Sequence, residues 1–420
     1  MMNNGCVVVG GGPAGMVLGL LLARGGVRVT VLEKHSDFLR DFRGDTVHAS
    51  TLTLLDELGL GERFAAMPHR DVERMTVRLD AGEAAVADFR RLPGAHRHIA
   101  FAPQWDLLDL LATAAAEEST FTLINDAEVI DVLREHGTVV GVRYRDRATG
   151  AERDLRAALT VACDGRSSAV RAAAGLAPRR FGVPMDVLWF RLPRERTDPD
   201  GVFGRLSAGR FAITIDRGDY WQCASVIPKG TDAALRAAGI DGFRRDIAAL
   251  LPWTADRLAP LTSLDDVKLL EVELNRLRRW YVDGLLLIGD AAHAMSPVGG
   301  VGINLAVADA VAAARIVGPA LRSDGGVPLR LLRRVQLRRW LPTVLIQGVQ
   351  RVIHRALLAP ALAAAPGPRL GAARLPAPLR LLRRFPALQG LTARMVAIGP
   401  LPEHAPAWAR RPAVRSRTGR

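Results

Sequence analysis

Near its start the chain reads VVVGGGPAG over residues 7–15. The three valines indicate a short buried strand, and the apolar stretch from residue 13 to residue 24 indicates a helix directly after the glycines. The glycines have the spacing GxGxxG, in which Gly10 permits a tight turn, Gly12 lets the backbone approach a phosphate, and Gly15 lets the helix pack close to the strand. The segment therefore predicts a strand–turn–helix unit whose helix N-terminus binds the pyrophosphate of a dinucleotide.

An acidic residue follows where such a unit needs one. Residues 27–32 indicate a second strand, and Glu33 ends it, about 20 residues after the glycines. A carboxylate there can accept hydrogen bonds from both hydroxyls of an adenosine ribose and would repel a 2′-phosphate, so the site favours FAD or NAD over NADP. The predicted cofactor contacts of this unit are Gly10, Gly12, Pro13, Ala14, Gly15, Glu33 and Lys34.

A second glycine-rich segment lies far downstream. Residues 285–288 indicate a buried strand that leads into Gly289-Asp290 and then into PVGGVGIN, residues 297–304. Asp290 can accept a hydrogen bond from a ribityl hydroxyl, and the glycines can present backbone N–H groups to an electron-rich ring. Two such segments indicate a long cofactor, FAD rather than NAD, and therefore redox chemistry. The predicted contacts here are Gly289, Asp290, Pro297, Gly299, Gly300, Val301, Gly302, Ile303 and Asn304.

A third motif lies between the two. The sequence DGRSS, residues 164–168, follows a buried strand that ends at Cys163, and Arg171 closes the run. An acid–glycine pair after a strand is by itself consistent with an ordinary turn. Its place between two cofactor motifs makes Asp164 a further candidate contact. The chain has no second strand–GxGxxG–helix unit of the kind that gives NAD(P)H its own domain in two-domain flavin reductases.

The positive charge is concentrated near the C-terminus. The net charge is +14, and residues 351–420 contain 13 arginines but a single acid, Glu403. No nucleic-acid-binding motif and no interleaved stacking aromatics accompany them, so we expect a solvated helical surface and no nucleic-acid partner. No uninterrupted apolar run reaches about 18 residues, and the three cysteines are widely spaced. These features predict a cytoplasmic protein with reduced thiols and no transmembrane segment.

The order of elements predicts an α/β fold. We expect a Rossmann-like FAD-binding domain interleaved with a β-sheet substrate domain, plus a C-terminal helical segment. The predicted bounds are 1–70, 99–181 and 271–320 for the first, 71–98 and 182–270 for the second, and 321–420 for the basic helical region. Prolines at 360, 366, 376, 378 and 386 predict breaks between the C-terminal helices.

In this order the motifs resemble those of the single-component FAD-dependent aromatic hydroxylases, the p-hydroxybenzoate hydroxylase-like flavoprotein monooxygenases. Two further segments, RGDT at residues 43–46 and Gln104-Trp105, match flavin-contacting positions of that family. The resemblance covers about residues 5–320. Where many larger phenol hydroxylases continue towards a thioredoxin-like C-terminal domain, residues 321–420 are instead basic and leucine-rich, so we do not expect that domain in this region.

The resemblance implies roles for individual residues. Arg43 and Gln104 would contact the pyrophosphate and ribityl region, and Asp164 would lie in a segment used for both FAD and NAD(P)H. Pro297 would lie beside the flavin C4a, where oxygen adds, so Pro297 and Arg43 are the predicted catalytic residues. The family reduces FAD with NADPH or NADH, forms a C4a-hydroperoxide with O2, and transfers one oxygen atom to an aromatic or polyketide-like small molecule. A monomer or homodimer is expected.

Other functions remain open at this point. A flavin-dependent halogenase would share the fold but needs a lysine after the glycine turn and a WxWxIP segment, which residues 221–228 only partly resemble. An isoprenoid-type reductase or a non-catalytic flavoprotein would also bind FAD. The substrate-binding residues are not identified, since aromatic residues such as Trp189, Phe190 and Trp221 are more often core than pocket.

Overall fold

The computed structural model describes residues 5–38, 46–80, 82–198, 201–207, 209–323, 326–363 and 377–412. In chain order the described strands are β1 (Gly5–Val9), β2 (Arg28–Leu32), β3 (Thr46–Val47), β4 (Arg70–Val72), β5 (Arg74–Leu79), β6 (Gly82–Asp88), β7 (Ile99–Phe101), β8 (Phe121–Ile124), β9 (Ala127–Glu135), β10 (Thr138–Asp146), β11 (Glu152–Arg156), β12 (Leu159–Ala162), β13 (Arg179–Phe181), β14 (Met185–Pro193), β15 (Val202–Ser207), β16 (Arg210–Asp216), β17 (Tyr220–Pro228), β18 (Lys268–Leu270), β19 (Leu274–Arg276), β20 (Tyr281–Val282) and β21 (Leu285–Leu287). The described α-helices are α1 (Pro13–Arg24), α2 (Ala49–Glu57), α3 (Gly61–Ala65), α4 (Gln104–Ala116), α5 (Ala169–Ala173), α6 (Asp232–Ala237), α7 (Gly239–Leu250), α8 (Gly302–Leu321), α9 (Leu329–Ile353), α10 (Ala359–Ala363), α11 (Ala377–Arg384) and α12 (Ala387–Ala397).

A six-stranded sheet forms the centre of the first part of the fold. Its order is β20-β21-β12-β1-β2-β8, and all neighbours pair in parallel except β20 with β21. Every residue of β1 is buried, as expected for a strand covered on both faces. The chain continues from β1 to β2 on one side, while β12 lies on the other. This reversal opens a crevice at the carboxyl ends of the strands, where α/β sheets bind ligands.

Helices α1, α4 and α8 pack against this sheet in the largest core cluster. Helix α8 with its preceding turn, residues 298–321, is the one helix in the described ranges that is long and apolar enough to cross a membrane. However, 67% of its most apolar window is buried. Its neighbours are α1 and α9, so its apolar composition is explained by its position in the core.

A seven-stranded sheet forms the second part of the fold, with the order β18-β14-β17-β16-β15-β5-β6. Its pairs are antiparallel except β5 with β15. One face packs on α7, where Phe190 and Trp221 are fully buried. The opposite face contributes Trp189 and Phe211 to a cluster with Val298, which lies in the downstream glycine-rich segment. This face of the sheet therefore packs against the downstream glycine-rich segment. Smaller sheets are β11-β10-β9, β13-β19 and β3-β7-β4.

The C-terminal helices are part of the fold rather than an appendage. Helix α9 continues through a π-helical turn, His354–Leu358, into α10 without interruption. The break predicted at Pro360 is therefore wrong. Proline clashes with the carbonyl four residues earlier in a regular α-helix, and the wider preceding turn relieves that contact. The predicted breaks at Pro366 and Pro376 lie outside the described residues.

Candidate cofactor and active site

The turn after β1 lies against the turn after β12. Gly10 has a φ of +102°, and a Cβ on it would lie 2.5 Å from the carbonyl oxygen of Cys163 and 3.0 Å from the Cα of Asp164. Only glycine fits this position, because it tolerates positive φ and has no side chain. Two of the predicted motifs thus meet at one end of the sheet.

The N-terminus of α1 has room for a phosphate. A Cβ on Gly15 would overlap the carbonyl oxygen of Gly10, so this glycine lets the helix approach the turn. At Gly12, the N-cap, an added Cβ meets no described atom within 4 Å, and no side chain caps the helix. The first backbone N–H groups of a helix lack intrahelical partners and carry partial positive charge, so they can bind an anion in this open space.

Glu33 is held rigidly beside this turn. Its side chain is buried, and Oε2 accepts a hydrogen bond of 2.8 Å from the backbone N–H of Gly11. Oε1 accepts hydrogen bonds from His35, at 3.1 Å from the backbone nitrogen and 2.7 Å from Nδ1. Sequence reasoning missed Gly11 and His35, because Gly11 is a variable position of the GxGxxG pattern. A Cβ on Gly11 would lie 3.1 Å from Oε2, so a side chain there would displace the carboxylate.

Asp164 presents an unpartnered atom next to Gly10. Its Oδ2 accepts a 3.1 Å hydrogen bond from the backbone N–H of Val170. Its Oδ1 is buried and has no hydrogen-bond partner within the described ranges. Burial raises the pKa of this carboxyl above its usual value. A buried acceptor without a donor is costly in a protein, so a ligand hydroxyl or an ordered water is expected here.

The Gly289–Asp290 turn lies against the same helix terminus. Gly289 has a φ of +57°, and its Cβ position is 3.5 Å from the Cβ of Ala14 and 3.2 Å from that of Ala306. The Asp290 side chain remains 30% exposed, and its Oδ2 lies 3.7 Å from Nη2 of Arg166. The first glycine motif, the DGRSS motif and the second glycine-rich segment therefore all meet at the carboxyl end of the six-stranded sheet.

Residues just before and within α2 hold the segment at 297–304, which comprises a glycine-rich turn and the first residues of α8 and which we call the cofactor loop. The Thr46 hydroxyl donates to the carbonyl of Gly300 at 3.0 Å, and Nε2 of His48 lies 3.4 Å from the carbonyl of Gly299. Burial lowers the pKa of His48 to about 4, so the imidazole is neutral near pH 7 and donates this bond. The carboxamide oxygen of Asn304, a predicted cofactor contact, accepts hydrogen bonds from Ser50 at 2.6 Å and from Thr51 at 3.0 Å.

Helix α9 holds the other side of the same loop. The Gln350 carboxamide accepts from the backbone N–H of Ser296 at 3.2 Å and donates to the carbonyls of Ser296 and Val298, both at 2.9 Å. His354, one turn later, forms a 2.8 Å hydrogen bond between Nε2 and the Ser296 hydroxyl. Pro297 therefore lies between two residues, Ser296 and Val298, whose backbone groups are hydrogen-bonded to Gln350. We call Gln350 and His354 the α9 clamp.

Sequence reasoning missed the α9 clamp because a helix is expected to bury its apolar side chains. In α9 the buried side chains include several polar ones at helical spacing, which is the signal that could have revealed it. These polar residues are Arg339, Thr343, Gln347, Gln350 and, just past the helix end, His354.

A buried ionic network lies behind the Gly289 turn. Asp309 is fully buried, and its Oδ2 accepts hydrogen bonds from the backbone N–H of Gly289 at 3.1 Å and from Nε2 of His293 at 2.6 Å. Its Oδ1 accepts from Nε of Arg339 at 3.0 Å, and Nη1 of Arg339 also contacts Glu403 at 3.3 Å. Burial alone would raise the pKa of Asp309, but His293 and Arg339 lower it below its usual value. His293 therefore has a structural partner.

Three predicted site residues remain to be placed. Arg43, one of the two predicted catalytic residues, lies outside the described residues. Gln104 is the first residue of α4, which packs along α1. Lys34 is exposed beside Glu33, and its backbone carbonyl accepts a 3.0 Å hydrogen bond from Arg147.

The geometry fits FAD. The open helix terminus at Gly12 fits a pyrophosphate, the fixed carboxylate of Glu33 fits the adenosine ribose, and the unpartnered oxygen of Asp164 fits a hydroxyl donor. The loop at 297–304 lies between this terminus and the seven-stranded sheet, where a ring system would extend. A family model described as FAD binding domain matches residues 5–332. The chain belongs to this family.

Individual relatives agree with the family. The chain is 35% identical over 393 residues to 6-methylpretetramide 4-monooxygenase of Streptomyces rimosus, covering 92% of this chain and 91% of that enzyme. It is 31% identical over 318 residues to rifampicin monooxygenase of Streptomyces venezuelae, covering 72% of this chain but only 62% of that enzyme. The structure of OxyS anhydrotetracycline hydroxylase from Streptomyces rimosus superposes with a TM-score of 0.72 at 23% identity, covering 94% of this chain and 75% of that one.

Family membership and these relatives confirm the main predictions from the sequence. The fold class, the FAD cofactor and the assignment as an FAD-dependent monooxygenase are confirmed. The roles of individual residues and the domain bounds stay predictions.

Proposed function

We propose that the chain is an NAD(P)H-dependent FAD monooxygenase that hydroxylates a fused-ring aromatic polyketide. The observation that carries this proposal is the 35% identity to 6-methylpretetramide 4-monooxygenase across nearly the whole of both chains. That relative's substrate is therefore the first compound to test. A cytoplasmic location and a monomeric or homodimeric state belong to the same proposal.

FAD bound at this site would supply the redox chemistry between nicotinamide and O2. The protein's own residues bind and orient it. Backbone N–H groups at the start of α1 bind the pyrophosphate, and Glu33 accepts hydrogen bonds from the ribose. Asp164 and Asp290 would accept hydrogen bonds from other hydroxyls of the FAD. The α9 clamp and the Thr46–His48 segment fix the loop around Pro297, so the reacting ring has a defined position relative to the substrate.

The substrate would bind between this loop and the seven-stranded sheet. The half-buried side chains there, Trp189, Phe211 and Val298, are apolar and belong to one cluster, which suits a polycyclic aromatic compound. The indole Nε1 of Trp189 is buried and has no acceptor among the residues that the structure describes. It can donate a hydrogen bond to a phenolic or carbonyl oxygen of the substrate and so orient the ring.

The test measures substrate-stimulated nicotinamide oxidation. Purified protein loaded with FAD is mixed with NADPH or NADH in aerated buffer, with and without 6-methylpretetramide. We expect the substrate to accelerate oxidation and a hydroxylated product to form without a partner reductase. A Trp189→Phe variant keeps the ring but loses the donor, so we expect KM for the substrate to rise about 10-fold, the effect of one lost hydrogen bond. Reduction only by a separate reductase, or no stimulation by any fused-ring phenol, would overturn the proposal.

A further inference from the structure

The outward face of α9 carries large apolar side chains that the rest of the described chain leaves uncovered. Their exposed fractions are 65% for Leu337, 54% for Leu341, 43% for Leu345, 47% for Val349 and 65% for Val352. The spacing of three or four residues places them on one face of the helix. Trp340, 42% exposed, lies beside them. We call these six residues the α9 stripe; it is about 22 Å long at 1.5 Å per residue.

Helix α9 differs from an ordinary surface helix, because its inward face buries polar side chains beside apolar ones such as Val335 and Ile346. The inward face contains the α9 clamp and Arg339, which make buried hydrogen bonds to the cofactor loop and to Asp309. Between residues 337 and 352 the exposed side chains of the outward face are apolar. Six half-exposed large side chains leave on the order of 500 Å² of apolar surface, near the upper end for a monomer. Packing within the described chain does not account for this face.

Arginines flank the α9 stripe at both ends. Arg330, Arg333 and Arg334 are exposed on the turns before Leu337, and Arg355 is exposed three residues after Val352. Residues 325–402 contain 13 arginines and no aspartate or glutamate. Apolar side chains with basic residues around them are typical of helices that lie in the interface of an anionic membrane, where the arginines contact phosphate groups.

We propose that the α9 stripe docks the protein on the surface of an anionic phospholipid bilayer. A second copy of this chain fits the stripe less well. In an antiparallel pair of α9 helices, Arg333 and Arg334 of one copy would approach Arg355 of the other, and the helix offers no acid to neutralise them. Anionic lipid neutralises the same arginines. The stripe lies on the side of α9 opposite the α9 clamp, so docking leaves the cofactor loop accessible.

The test is co-sedimentation of the full FAD-loaded chain with vesicles. One set of vesicles is phosphatidylcholine alone, and the other contains equal parts phosphatidylcholine and phosphatidylglycerol. We expect binding to the anionic vesicles only, and weakening of that binding by salt. A Leu341→Glu/Leu345→Glu variant should lose at least 10-fold in vesicle affinity, and Arg333→Gln/Arg334→Gln should lose the preference for anionic lipid. The matched control is Leu391→Glu, because Leu391 is 59% exposed on α12 and outside the stripe.

Three results would overturn the proposal: no binding to anionic vesicles, equal binding to both vesicle types, or the same loss in the Leu391→Glu control. Light scattering after size-exclusion chromatography tests the other occupant of the stripe, a second copy of this chain. If the protein is a dimer that Leu341→Glu/Leu345→Glu converts to monomer, a second copy covers the stripe. Bound flavin and substrate-stimulated NADPH oxidation in solution show that each variant is folded, and they test the proposed function independently of membrane binding.

Discussion

Replacing Gln350 with methionine tests the coupling between α9 and the cofactor loop. Methionine has a similar length and cannot make the three hydrogen bonds of the carboxamide to Ser296 and Val298. A typical hydrogen bond contributes about 0.5–1.5 kcal/mol net, and a buried group left without a partner costs about 1–3 kcal/mol. Ser296 is 1% exposed, so its amide gains no water in exchange. We expect the free energy of unfolding to fall by about 3 kcal/mol.

The functional effect should appear in the fraction of nicotinamide oxidation that leads to hydroxylated product. With Gln350→Met the backbone around Pro297 is less restrained, so nicotinamide oxidation should continue while more of the O2 is released as hydrogen peroxide instead of entering product. Urea unfolding monitored by circular dichroism gives the stability, and peroxide formed per NADPH consumed gives the coupling. Val349→Ala is the control. The Val349 side chain precedes Gln350 in the sequence and is 47% exposed, so its truncation should change the free energy of unfolding by no more than about 0.5 kcal/mol.

Two outcomes would contradict these expectations. If Gln350→Met unfolds at the urea concentration of the parent protein, the α9 clamp contributes no stability. If stability falls but peroxide per NADPH does not change, the α9 clamp stabilises the fold without positioning the loop.

Three further predictions concern single carboxylates and one histidine. Asp290→Ala should weaken FAD binding by about 1.5–3 kcal/mol through loss of a hydrogen bond to a charged group, and flavin titration by fluorescence checks this; unchanged affinity would contradict the assigned contact. Asp309→Ala should destabilise the protein by about 3–5 kcal/mol, because it leaves Arg339 and His293 buried without their partner, and thermal unfolding should show the loss. His48 has a folded pKa of about 4, below the 6.5 of the unfolded chain, so its contribution to stability is lost as pH falls from about 6.5 towards 4. Between pH 7 and pH 5 the parent should lose about 2 kcal/mol more than His48→Gln in urea unfolding, and equal losses would contradict burial of the neutral imidazole.

The sequence predicted the parts of the site that depend on local backbone geometry. Gly10 and Gly15 follow from the spacing of a turn that must pass close to a phosphate, and the structure places both against backbone atoms that exclude a side chain. The helix predicted from the apolar stretch at residues 13–24 has the same bounds in the structure, Pro13–Arg24. Such signals are contained within about 20 residues, so they can be read without knowing the rest of the fold.

The sequence did not predict contacts between distant segments. Thr46 and His48 contact the downstream loop across about 250 positions of the chain, and Gln350 reaches it across more than 50. Each of these residues is of a type that commonly lies at the surface or at the end of a helix, so its identity alone does not indicate a distant partner. Proline is also an unreliable signal in this region: the break expected at Pro360 is absent because tertiary packing and a π-helical turn override the local preference.

The reaction that we propose is the FAD-dependent insertion of one atom of O2 into a fused-ring aromatic substrate. Its most direct test is mass spectrometry of the product formed from 6-methylpretetramide, NADPH and isotope-labelled O2. We expect one labelled oxygen atom in each product molecule. A product in which the new oxygen comes from unlabelled water, or an oxidised product without added oxygen, would contradict it.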